Sequence, residues 1–126
     1  MGDIKGALEG FLGAFSELDL DGMMAYYAED ATTFLPIGHH SPRLEGREEI
    51  REAFARVLSK IKASGAKRIR LDAEDVHVQE FDGVAVATFH VRDTELCRRS
   101  LVLRSNGGRW LIEHFHASNA PLPKGD

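Results

Sequence analysis

The chain has 126 residues, 43% of them hydrophobic and 29% charged, with a net charge of −4 and a single cysteine. That is one domain's worth of chain, long enough to bury a core unaided, and an acidic balance without a basic stripe speaks against a nucleic-acid partner. No apolar run reaches the ~18–20 residues that span a bilayer, so no membrane contact is expected. MGDIKGALEG patterns as an amphipathic helix rather than a signal peptide, and the lone Cys97 forms no internal disulfide and suits a reducing compartment. The expectation is a cytoplasmic protein without a cofactor, in which Cys97 is a small packing residue rather than a nucleophile.

Three helical segments come first. Ile4, Ala7, Leu8, Phe11, Leu12, Phe15 and Leu18 recur at three- and four-residue steps, with Asp3 placed as the N-cap. DLDGMMAYYAED predicts a short second helix whose buried side is Met23, Met24 and Tyr27. ATTFLP reads as a strand stopped by Pro36, and IGHHSPRLEG as a loop. A third helix is predicted from about Arg47 to Lys62, with Ile50, Ala53, Phe54, Val57, Leu58 and Ile61 on one face and Gly65 as a left-handed cap.

The period then changes from 3.6 to 2. RIRLDAEDVHVQEF, GVAVATFHVRD, ELCRRSLVLR and RWLIEHFHAS are four strand candidates, linked by short turns at Asp82-Gly83, Arg92 to Thr94 and NGG. Short links make antiparallel neighbours, so the expected fold class is α+β, with three N-terminal helices covering one face of a mainly antiparallel sheet. If that sheet curves strongly over the helices, its concave side is the natural place for a ligand cavity. Residues 1–120 form the domain and 121–126 a tail.

Three segments in order, DLDGMMAYYAEDATTFLPIG, LEGREEIREAFARVL and NGGRWLIEHFHASNAP, make the chain resemble the SnoaL-like group of the nuclear-transport-factor-2-like superfamily, which includes bacterial polyketide cyclases. The last segment also resembles the end of the calcium/calmodulin-dependent kinase II association domain, with a Trp, an H-x-H and an S-x-A-P at this spacing. The resemblance implies a cone-shaped α+β barrel, but the scaffold hosts isomerases, dehydratases, cyclases, hydrolases and assembly domains, so it carries no function by itself. The first segment is also similar to ketosteroid isomerase, which abstracts a proton with an Asp and stabilises the enolate with a Tyr and a protonated Asp. Those positions fall on Leu35 for the base, Phe11 and about Leu101 for the oxyanion donors, and Phe54 for a supporting Tyr. Only Tyr27 keeps a polar group, and without a base there is no enolisation of that type. The association domain's cavity arginines fall on Leu101 and Ala117, so its anion binding does not transfer either.

The chemistry of the last strand depends on the NGG turn. A two-residue loop, Asn106-Gly107, puts Leu101 on one face with Trp110, Ile112 and His114. A three-residue loop, Asn106-Gly107-Gly108, puts it with Leu111, Glu113, Phe115 and Ala117, because one residue of slip flips every side chain. A type I turn closed by a left-handed Gly108 favours the second, as does the family resemblance. On that register Arg99, Leu101, Leu103, Leu111, Glu113 and Phe115 are concave, while Trp110, Ile112, His114 and His116 are convex, where the family dimerises.

Arg99 and Glu113 then form a diagonal pair on the concave sheet. It is either structural, each charge satisfying the other, or poised, with Arg99 holding a carboxylate or enolate oxygen and Glu113 moving a proton. The remaining wall is apolar: Phe11, Phe15, Leu35, Phe54, Phe89, Val91, Leu101, Leu111 and Phe115, with Ala85, Ala87 and Tyr27. It suits a small hydrophobic or aromatic ligand. His39 and His40 read as loop-rim residues or as an acid or base at the cavity mouth, and His77 as a surface residue. His114 and His116, joined by His90, offer zinc ligands at most in part; the missing further ligands make an interface pair the preferred reading and no metal the expectation. Two functions follow: a small-molecule pocket protein with acid–base chemistry using Glu113, Arg99, Tyr27 and His39 or His40, or a non-catalytic binding or association module. Both imply a homodimer, and the second a larger oligomer.

Overall fold

The computed structural model describes residues 3–36 and 42–122. Helix α1 (Ile4–Ser16) starts at Asp3, whose carboxylate accepts the Gly6 amide at 2.6 Å, and it buries Ile4, Leu8 and Phe11. Just past its C-cap Glu17, Leu18 is held at φ 58° and is only 4% exposed. A left-handed leucine costs about 1–2 kcal/mol, and burial of its side chain offsets that cost. Helix α2 (Leu20–Met24) is one turn long, and α3 (Arg47–Ala63) buries Ile50, Ala53, Phe54 and Leu58. Glu48 and Glu49 in the first turn of α3 and Lys60 and Lys62 in its last complement the helix dipole.

The strands are β1 (Tyr27–Phe34), β2 (Leu44–Glu45), β3 (Glu74–Phe81), β4 (Val84–Arg92), β5 (Leu96–Asn106) and β6 (Arg109–Ala120). They form one curved, unclosed sheet in the order β2-β1-β6-β5-β4-β3. β3 to β6 are the antiparallel meander, and β1 joins β6 in parallel. Alternation is clean on β4, where Ala85, Ala87, Phe89 and Val91 are all buried and face the helices. The fold is therefore the expected α+β arrangement of helices against the inner face of the sheet.

Three local expectations change. The second helix stops at Met24, and Tyr27 opens a strand instead, because its backbone pairs with Ile112 on β6. Tertiary pairing here overrides a weak helical pattern. The first meander strand begins at Glu74 rather than Arg68; residues 69–72 run as an irregular strap, tied to the end of α1 by Ile69 N–Ser16 O at 2.9 Å and Ser16 Oγ–Ile69 O at 2.6 Å.

The third change is the register of the last hairpin. Asn106 pairs with Arg109, so the loop is two residues, Gly107-Gly108, with φ 59° and 84°. Two consecutive positive φ angles make the primed turn that matches strand twist. Leu103 accordingly faces Ile112, but Val102 faces His114. Glu113 is the extra residue of a β-bulge, which resets the alternation. Near the turn, Ile112 is 1% exposed and in the core, with Trp110 in step with it. Beyond the bulge, Phe115 and Ala117 turn inward and His114 and His116 outward. The convex placement of Trp110 and Ile112 is thus corrected, and so is the concave placement of Leu111 and Glu113.

Candidate functional site

A cavity of about 860 Å³ lies between α1, α3, the strap and the end of the sheet where β4 meets β5. Phe11 and Phe15 of α1, Phe89 and Val91 of β4 and Phe115 of β6 supply its apolar wall. Val57 and Ile61 of α3 complete it on the helical side, and Arg70, Asp72 and Asp93 add polar groups. Leu35, Phe54 and Leu101, expected in the wall, are 7%, 2% and 0% exposed within the core and do not line the cavity. Leu111 stands opposite Arg104, out of step with the inner residues.

Arg99 enters this cavity from β5, opposite Phe89 on β4 and Ala117 on β6. Its Nη1 donates to the carbonyls of Arg98 at 2.9 Å and Ser118 at 3.3 Å and to Asn119 Oδ1 at 3.2 Å. All three acceptors are neutral, and among the described residues no carboxylate pairs with it. Burial lowers its pKa, with neighbouring Cys97 acting in the opposite sense, but a guanidinium keeps its charge in proteins. The result is a half-buried cation beside aromatic walls, with Nη1 anchored on neutral acceptors, Cys97 as its neighbour and, among the described residues, no carboxylate on it.

Glu113 is not its partner. The bulge turns that carboxylate to the other side of the sheet, 3.7 Å from Arg104 Nε, and the expected concave Arg99–Glu113 pair does not form. Tyr27 is 2% exposed and lies in the core rather than at the cavity surface. His39 and His40 lie outside the described residues. On the outer face, His114 Nδ1 and Thr32 Oγ1 are 2.7 Å apart, and the Phe34 ring meets His114 and His116 at 5.9 and 5.3 Å. His90 belongs to β4, two strand spacings or about 10 Å away, and its Nε2 sits 3.1 Å from Glu74. Among the described residues no three His, Cys, Asp or Glu side chains gather as metal ligands.

Asn119, Asp72 and Asp93 were not among the expected site residues. Asn119 has the inward parity of Phe115 and Ala117, so the alternation alone would have marked it. The strap that carries Asp72 has no period to read.

Helices on the concave side of an open six-stranded sheet, with a cavity at one end, define a cone-shaped class of α+β protein. Within it, residues 4–123 match the SnoaL-like domain model, and the chain belongs to that family. No curated protein matches the chain. Among solved structures it is similar to a nuclear-transport-factor-2-like protein of unknown function from Pseudomonas putida, with a TM-score of 0.79, 21% identity, and 97% of this chain and 87% of that one covered. A candidate kinase II association domain from Thiobacillus denitrificans gives a TM-score of 0.76 at 21% identity, covering 98% of each chain. A candidate dehydratase from Streptomyces avermitilis gives 0.74 at 19% identity, covering 93% of this chain and 91% of that one. At these identities the likeness shows the fold.

Proposed function

We infer that this SnoaL-like protein binds a small apolar or aromatic molecule that carries a carboxylate, or a carbonyl that gains enolate character. The observation that carries the reading is Arg99, a guanidinium without a carboxylate partner among the described residues, inside a cavity walled by Phe11, Phe15, Phe89 and Phe115. A planar guanidinium fork suits a carboxylate held side-on, and the rings supply the apolar contact. Any acid–base step needs a proton carrier in the same space. With Glu113 turned away, that role falls to Asp93, since Asp72 is engaged by Arg70 at 2.5 Å. Ketosteroid isomerase chemistry does not fit, because Leu35, Phe11, Phe54 and Leu101 leave its positions apolar.

Titration calorimetry with cinnamate and cinnamamide tests the anchor. The acid is expected to bind at least about tenfold tighter than the amide, the value of a charge-assisted bond, and Arg99→Leu to remove that preference. Equal binding of the two, or a preference that survives Arg99→Leu, refutes the reading. Turnover of a carbonyl substrate found by screening is expected to disappear in Asp93→Asn.

The second reading, an assembly module, draws on the outer face. Its central rows, Val86-Val102-His114-Thr32 and Thr88-Ser100-His116-Phe34, hold no permanently charged side chain and carry no helix. A homodimer through this face is our proposal under both readings. Light scattering separates them, a dimer supporting the pocket protein and a larger ring supporting the association module.

A further inference from the structure

Tyr27 is only 2% exposed, yet among the described residues its hydroxyl has no hydrogen-bond partner. Burial holds its pKa above the usual phenol value, with Thr33 opposing the shift, so the group is a permanent donor. Thr33 gives its own proton to the Phe115 carbonyl at 2.7 Å and makes no geometrically sound bond to Tyr27. Native proteins rarely leave a buried donor unpaired, and phenylalanine would fill the same space without the penalty.

The ring contacts of Tyr27 lead to the cavity wall. Phe11 packs edge-on against Tyr27 at 5.8 Å and against Phe115 at 5.9 Å, and Phe15 packs against Phe54, which meets Tyr27 at 6.1 Å. Phe11, Phe15 and Phe115 are the cavity wall. One layer of rings therefore lies between the Tyr27 ring and the cavity; Phe11 in it is 1% exposed, so uncovering the phenol is a local opening of the packed layer.

We propose that the Tyr27 hydroxyl is a second, closed anchor of the cavity, uncovered when the Phe11 ring swings aside, and that the ligand carries a hydrogen-bond acceptor such as a ketone, ester or ether oxygen at the end opposite its carboxylate. This rests on Arg99 as the carboxylate anchor. Together the two groups select an elongated, largely apolar oxo-acid over a plain apolar acid of the same length.

The test is a series of ω-cyclohexylalkanoic acids of increasing chain length, each paired with its 4-oxocyclohexyl counterpart, titrated into the wild type, Tyr27→Phe and Arg99→Leu. At the chain length that spans the two anchors, the ketone is expected to bind about tenfold tighter than the hydrocarbon, the worth of satisfying a buried donor. That preference is expected to vanish in Tyr27→Phe while hydrocarbon binding stays unchanged. No ketone preference at any length, or one that persists in Tyr27→Phe, overturns the proposal. Tyr27→Phe should also unfold at a higher temperature than the wild type; a lower midpoint, or failure to fold, means the hydroxyl is already bonded internally and overturns it too. Arg99→Leu weakens both members of each pair equally if Arg99 holds the carboxylate. A ketone preference without any effect of Arg99→Leu would leave Tyr27 standing and remove the Arg99 reading. Phe11→Leu is expected to speed ketone association in stopped flow, and an unchanged rate refutes the gate.

Discussion

Replacing Ile112 by alanine tests the register on which the site is built. Ile112 is 1% exposed, opposite Leu103 at 1% on β5 and Tyr27 at 2% on β1. The substitution removes three buried carbons, about 2.4 kcal/mol of transfer free energy at ~0.8 kcal/mol each. The space they leave, partly collapsed, adds roughly 1–2 kcal/mol, for a total of about 3.5–4.5 kcal/mol. Leu111→Ala, at a half-buried position across from Arg104, should cost about half the transfer value, near 1 kcal/mol. Urea unfolding followed by the fluorescence of the single tryptophan, Trp110, gives both numbers. With a slope of about 1–3 kcal/mol/M, Ile112→Ala should lower the midpoint by more than about 1 M, and Leu111→Ala by less. The reverse order would mean that Leu111 and Glu113 face the core. In that case Glu113 is no bulge, the Arg99–Glu113 pair is restored, and the carboxylate-anchor reading loses its unpaired cation.

The turn offers a second check by the same assay: Gly107→Asn, at φ 59°, should be nearly neutral because Asn tolerates that region, whereas Gly108→Val, at φ 84°, should cost about 1–2 kcal/mol. The pH dependence of stability gives a third. Burial, aided by His116 and Arg43 and opposed by the Thr32 bond, lowers the His114 pKa below that of a free imidazole. Above the unfolded-state pKa of about 6.5 both states are neutral and His114 contributes no slope. Below it the unfolded chain takes up the proton more readily, so stability falls as pH falls. His114→Gln should flatten that acid-side slope between pH 7 and 5 in the monomer, and an unchanged slope would show that the imidazole is not held neutral.

The layers of the fold were legible because they are written in period. Ile50, Ala53, Phe54 and Leu58 mark a helix face, and Ala85, Ala87, Phe89 and Val91 mark a strand face; in both cases burial follows the repeat. The inward position of Arg99 was legible for the same reason, since it keeps step with Leu101 and Leu103. What could not be read was a change of phase within a strand. Trp110 and Ile112 share the inward face, but the intervening Glu113 bulge shifts that face to Phe115 and Ala117. Neither uninterrupted register satisfies both ends: one exposes Phe115, and the other exposes Ile112. The apolar residues at both ends can be buried only if one residue between them is left unpaired, and Glu113 is the residue there with a charge to set beside Arg104. The bulge is thus a consequence of the pattern I-E-H-F rather than a defect in it. It is also what separates the two charges that the sequence seemed to pair, leaving Glu113 with Arg104 and Arg99 without that carboxylate.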